Sequence, residues 1–235
     1  MNPKGKTAKA PKASPRRYGQ YCPVATSLDV LGERWTFLIV RNLMMGPQRY
    51  NDLRQALPGV ATDLLTARLR TLEEAGYVER RRLPRPASVM VYQLTPAGQR
   101  IAVVVLELGR IGLARLGPPA DDDLVTSDAL VLSLRPSFRP EVAGEVEESY
   151  QLELDGESYV VNVHPGWAET GRGIASGPEL TLTATTQAFA ALISGAVDAK
   201  AALSAGDVSI EGPRRALGRF LAIFSYPVPS EPAAT

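Results

Sequence analysis

Cysteine and histidine are almost missing from this chain of 235 residues: Cys22 and His164 each stand alone. One thiol excludes an internal disulfide framework and a cysteine-rich zinc site, and points to a reducing cytoplasm. One histidine, without a companion at metal-ligand spacing, leaves no metal motif and no Ser/His/Asp or Cys/His pairing. Gly171-Arg172-Gly173 lacks the strand-turn-helix context of a phosphate loop, and Glu145, Glu147 and Glu148 read as a solvated face. No apolar run approaches the ~18 residues of a membrane span. Nor do the first twenty residues carry the apolar core of a signal peptide. These absences predict a protein with no catalytic residues, no cofactor, no metal and no membrane segment.

What the chain does have is an uneven charge. The formal net charge is only +1. Yet residues 1 to 120 hold 19 Lys and Arg against 8 Asp and Glu, a balance of +11, while residues 121 to 235 hold 7 against 17, a balance of −10. Such a split predicts two domains facing different partners, the basic one meeting a polyanion. The organisation expected is a disordered basic arm over 1–20, a first domain over 21–116, a linker over 117–125, a second domain over 126–226 and a tail over 227–235. The arm carries Lys4, Lys6, Lys9, Lys12, Arg16 and Arg17 with no acid; it either tracks a DNA groove or keeps the protein soluble.

The most informative stretch runs from Arg49 to Arg82. A first short helix carries Leu53 and Leu57 and is broken by Pro58-Gly59. A second, from Ala61 to Ala75, puts Leu65, Leu69 and Leu72 on one face. Its opposite face centres on Asp63, Thr66 and Arg70, with Thr62 at the edge. A short polar face presented after a tight turn fits a DNA major groove. Gly76 closes that helix. The run Glu79 to Pro86, with Arg80, Arg81, Arg82 and Arg85, then leads into the strand-like Val89 to Leu94. Together these form a wing whose clustered arginines need an anion such as a phosphate backbone.

Helices are also expected over Val24 to Leu31 and over Glu33 to Met44, the latter with Trp35, Leu38, Ile39 and Leu43 at core spacing. Thr95 caps a helix to about Leu116, with Pro96 at its first position. That last helix carries Ile101, Val104, Val105, Leu108 and Ile111, more apolar surface than a small winged domain can cover. A second copy of the chain, with Cys22, Val24 and Leu28 also at the interface, is the expected cover. Two-fold symmetry then sets two reading helices ~34 Å apart on one DNA face.

Residues 22 to 116 resemble the HxlR family of bacterial winged helix-turn-helix transcriptional regulators. The likeness rests on Cys22-Pro23-Val24, Leu28 to Trp35, Gly46 to Leu53, Leu65 to Glu73 and Val91 to Gly98, in order and at the family's spacing. It implies a homodimeric regulator on a double-stranded DNA operator, with the helix from Ala61 to Ala75 in the major groove and the Arg80 to Arg85 wing on the backbone. The residues expected at DNA are Arg49, Tyr50, Thr62, Asp63, Thr66, Arg68, Arg70, Arg80, Arg81, Arg82 and Arg85. Where such proteins often carry a serine cap and a basic residue, this chain has Ala61, Thr62 and Asp63. The cap then passes to Thr62, and Asp63 either accepts from a cytosine amino group or answers the helix dipole. Cys22 matches the position through which some members sense oxidants, and a lone cysteine is equally a small buried apolar residue.

The second half reads as α+β, with a helix over Asp128 to Leu134 and a hairpin of Tyr150 to Leu154 with Tyr159 to Val163 turning at Asp155-Gly156. Strands are expected near Arg172 to Ala175, at Glu179 to Ala184 and at Val208 to Glu211. Helices are expected over Thr186 to Ser194, Ala199 to Leu203 and Pro213 to Phe224. This order resembles the sterol carrier protein-like fold, which implies a pocket for a small hydrophobic effector lined by Tyr159, Trp167, Phe189, Leu192 and Phe220. The function expected is a repressor whose acidic domain takes an apolar ligand. The alternatives are a hydrophobic-ligand carrier using the winged domain as a dimerisation scaffold, and a redox-sensing regulator acting through Cys22.

Overall fold

The computed structural model describes residues 17–86, 88–117, 123–224 and 226. The basic arm, apart from residues 17–20, most of the linker and the tail lie outside them. The first domain opens with α1 (Pro23–Leu31), started by a proline at its first position, and α2 (Thr36–Leu43). The latter begins three residues later than its periodicity suggests, because Trp35 takes a left-handed φ of 80° at its N-cap. The displaced turn leaves Glu33 outside the helix, and Leu38 faces solvent rather than the core.

Next come α3 (Tyr50–Gln55) and α4 (Thr62–Glu74), then β1 (Val78–Arg82), β2 (Met90–Leu94) and α5 (Pro96–Leu113). Leu53 and Leu57 meet Leu65, Leu69 and Leu72 in a core that also holds Ile39, Val40, Leu43 and Val78. Thr95 caps α5 by accepting from the Gly98 amide at 3.1 Å. Gly98 permits a close approach there, since a Cβ on it would lie 2.0 Å from the Tyr77 carbonyl oxygen. Gln48 adds a third strand position to the wing, exchanging backbone hydrogen bonds of 2.9 and 2.8 Å with Tyr92.

The second domain begins with α6 (Ser127–Ser137), capped by Thr126, which passes through Pro136 to end beyond Leu134. Ser137 is held there by hydrogen bonds to the carbonyls of Leu134 and Phe224. After the short α7 (Pro140–Ala143) come β3 (Glu148–Leu154), β4 (Glu157–His164), β5 (Trp167–Arg172), β6 (Leu180–Ala184), α8 (Thr186–Ile193), α9 (Ala199–Ala205), β7 (Val208–Glu211) and α10 (Arg214–Phe224). The sheet order is β5-β4-β3-β6-β7, antiparallel except for the parallel pair β3 and β6. The strand expected over Arg172 to Ala175 lies earlier, because Gly173, at φ 145°, turns the chain away. The next residues cross the sheet, where the Gln151 amide bonds to Gly173 and Ala175.

Alternation puts Tyr150, Leu152 and Leu154 of β3 and Tyr159, Val161 and Val163 of β4 on the buried face. Their cover is a ring cluster in which Phe220 lies 5.1 Å from Tyr150, 6.4 Å from Phe189 and 4.9 Å from Phe224. The two domains are packed together. Met45, just after α2, belongs to the second core, and α5 lies so close to α6 that a Cβ on Gly109 would meet Pro136 at 3.1 Å.

Candidate nucleic-acid interface

The outward face of α4 carries Thr62, Asp63, Thr66 and Arg70, all exposed. Their presentation is set by the opposite face, where Leu65, Leu69 and Leu72 are fully buried. The helix starts at Ala61 with no side-chain cap, so Thr62 does not take the cap and stands at the first helical position. Asp63 sits in the first turn, where a carboxylate is favoured by the helix dipole. Tyr50 fastens α3 to α4: its hydroxyl donates to the Thr62 carbonyl at 2.9 Å and lies 3.1 Å from the Thr66 hydroxyl. Thr66 also donates to the Thr62 carbonyl. Tyr50 therefore holds the start of the reading face in place.

Arg68, expected at DNA, is tied elsewhere in this chain. It points back to Glu33 at 2.8 Å with a side chain only 19% exposed, tying α4 to the α1–α2 turn. The signal was available, for at 100° per residue Arg68 lies about 200° round the helix from Thr66. Arg70 remains outward and exposed, paired with Glu74 at 2.7 Å, which raises its already high pKa.

The wing arginines differ in kind from these. Pairing of β1 with β2 sets Arg80 opposite Tyr92, Arg81 opposite Val91 and Arg82 opposite Met90. Arg80 spreads its guanidinium 5.8 Å from the centre of the Tyr92 ring. Glu79, the nearest acid in sequence, is engaged by Gln93. Among the described residues none of Arg80, Arg81, Arg82 and Arg85 has a carboxylate partner, and all four are exposed, as is Arg49 at the head of α3. Unneutralised guanidinium groups beside a polar helix face make an anion-binding surface.

The expected dimer residues divide. Ile101 is buried in the core of its own domain at 6% exposure, and Val105 packs against that core. Val104, Leu108 and Ile111 form an exposed stripe on α5, with Ile111 at 67%, and Val24 is exposed on α1. Cys22 precedes α1 as its N-cap, half-buried like Leu28.

The expected effector residues are not gathered round one cavity. Phe189, Leu192 and Phe220 are closed into the core, while Trp167 lies on the surface at 52% exposure, stacked on His164 at 4.2 Å. Tyr159 alone reaches a cleft of about 630 Å³ between the domains. There its hydroxyl donates to Asp128 at 2.8 Å, and Arg172 meets the same carboxylate at 2.9 Å while pairing with Glu157. Burial pushes the Tyr159 hydroxyl well above its ordinary pKa, and the Asp128 carboxylate adds to that. Ser127 and Thr186 join at 2.6 Å, and Asp155 accepts from the Thr186 amide at 3.0 Å. Asp52 and Gln55 of α3 form the opposite wall. Sequence reading missed this cleft because its walls come from separate stretches of both domains.

Among the described residues no cluster of His, Cys, Asp and Glu is arranged to hold a metal, and no helix is long and apolar enough to cross a membrane. Residues 30–118 match the HxlR-like helix-turn-helix family, and residues 129–225 match the SCP-2 sterol transfer family. An uncharacterized HTH-type transcriptional regulator of Synechocystis is 36% identical over 94 residues, covering 40% of this chain and 70% of that one. The HTH-type transcriptional regulator YodB of Bacillus subtilis is 34% identical over 88 residues, 37% of this chain and 79% of its own. The structure of reduced YodB aligns at 30% identity with a TM-score of 0.36, covering 43% of this chain and all of that one.

Proposed function

The chain belongs to the HxlR-like helix-turn-helix family, and from that membership we propose a transcriptional regulator that works as a dimer on double-stranded operator DNA, as a repressor. Thr62, Thr66 and Arg70 meet base edges or nearby phosphates, with Asp63 at the start of the same face. Arg49 and the arginines at 80, 81, 82 and 85 hold the flanking backbone. The observation that carries this reading is the wing: exposed guanidinium groups without carboxylate partners among the described residues, beside an exposed polar helix face. Its setting is cytoplasmic, in keeping with the lone cysteine.

Dimerisation is supported by the stripe of Val104, Leu108 and Ile111, an apolar face left exposed to water on a single copy. The second domain serves as the sensor, and its ligand alters how the two reading heads are spaced. The test is replacement of Arg81 and Arg82 by alanine. Affinity should fall alike on operator and scrambled duplex, with a shallower dependence on salt. An unchanged salt dependence would remove the wing from the interface.

A further inference from the structure

The second domain's interior is filled, and the open space lies elsewhere. Phe189, Phe220 and Phe224 are each 0% exposed, with the Phe220 ring against both of the others, where an apolar ligand would need room. The cleft between the domains, at about 630 Å³, falls within the usual size of small-molecule sites. We propose that this cleft is the effector site, and that it takes a small organic cation, an ammonium group carrying a modest apolar body. This rests on the regulator reading and names the ligand class and route of regulation within it.

The lining chooses the charge. Asp52, Asp128, Asp155 and Glu157 contribute carboxylates against the single guanidinium of Arg172. Hydrogen bonds from Thr186 hold the Asp155 carboxyl below its ordinary pKa, so it stays ionised. Arg172 shows what the site accommodates: a cation lying 5.5 Å from the centre of the Tyr159 ring, paired with Asp128 and Glu157. Even with the Arg41 guanidinium, which also acts on Asp128, two cations against four carboxylates leave the cleft with an excess of negative charge. Pro47, Ala56, Leu124 and Val125 supply apolar wall beside it, enough for a short alkyl or aryl body. An anionic ligand would meet carboxylates on both walls.

The position couples the site to DNA. Asp52 and Gln55 lie on α3, the helix whose Tyr50 holds Thr62 and Thr66 of α4. A cation drawn between Asp52 and the Asp155 and Glu157 side shifts α3 against the second domain, and α4 moves with it. Regulation then requires no change in the second domain's interior.

The test uses the full-length chain in titration calorimetry with three probes of one shape, 2-phenylethylammonium, 2-phenylethanol and phenylacetate, repeated with Glu157→Gln. The proposal expects the ammonium to bind, the alcohol and the carboxylate to bind at least about tenfold more weakly, and Glu157→Gln to weaken the ammonium about fivefold. It also expects the ammonium to change the affinity for operator DNA measured by anisotropy. Equal binding of the alcohol, indifference to Glu157→Gln, or no heat with the ammonium at millimolar concentration overturns it. Ala56→Trp, which fills the cleft from the first domain's wall, should abolish probe binding while a melting curve reports the fold; retained binding also overturns the proposal. DNA binding by the ligand-free protein stands apart from these arms. Its loss counts against the regulator reading, whereas intact DNA binding with a silent cleft counts only against the effector site.

Discussion

The Tyr50 hydroxyl lies 2.9 Å from the Thr62 carbonyl and 3.1 Å from the Thr66 hydroxyl, so one side chain joins the two helices of the DNA-reading unit. Tyr50→Phe keeps the ring and removes both contacts. Stability should fall by about 1 kcal/mol, the usual worth of such a hydrogen bond. DNA affinity should fall further than that single bond accounts for, because the reading face loses its register. Denaturant unfolding and anisotropy on one preparation separate the two effects.

Arginines of this domain should sort into two groups. Arg68→Met breaks the tie to Glu33 and should cost within about 1 kcal/mol of stability while leaving the salt dependence of DNA binding unchanged. Replacing Arg81 and Arg82 should leave the melting point alone and reduce the slope of log affinity against log salt by roughly 2 per bound chain. The measurement is the slope. A change with Arg68→Met, or none with the wing variant, would contradict the assignment.

The α5 stripe gives a third expectation. Leu108→Glu puts a charge on a surface proposed to be buried between two copies. Burying such a side chain is worth roughly 2 kcal/mol, so the dimer should loosen at least tenfold, read by sedimentation. Ile101→Glu should unfold the domain instead, because Ile101 sits in the core of its own chain.

How much of this was legible in the chain depends on the range of the interactions. The helix-turn-helix and wing were readable because Leu65, Leu69 and Leu72, the Pro58-Gly59 break and the Thr95-Pro96 start are local signals. The hairpin of β3 and β4 was readable for the same reason, through Asp155-Gly156. The parallel pairing of Tyr150 with Leu180 was not, because nothing near either residue specifies it. Trp35's left-handed φ left no mark that periodicity could detect, and it moved the start of α2. Aromatic residues of the second domain suggested a pocket, yet Phe189 and Phe220 turned toward each other and closed it. The cleft that does exist depends on how two domains pack.

Acid should act on the second domain through Asp155. Its carboxyl is held below the ordinary range by the Thr186 hydroxyl and amide. A depressed folded pKa stabilises the fold above the unfolded value near ~4, and this contribution is lost as pH falls through the folded pKa. Asp155→Asn should flatten that part of the acid limb when the urea midpoint is followed from neutral pH down to about 3. An acid limb identical to that of the parent would show that Thr186 does not favour the ionised carboxylate.

Fluorescence anisotropy of the full-length protein on DNA upstream of its own gene, against a scrambled duplex and across rising salt, tests the central claim most directly. Tighter binding to the upstream duplex, weakening steeply with salt, is the predicted result. Weak and equal binding to both, with genome-wide selection of fragments also returning no preferred sequence, would contradict a regulator that reads DNA.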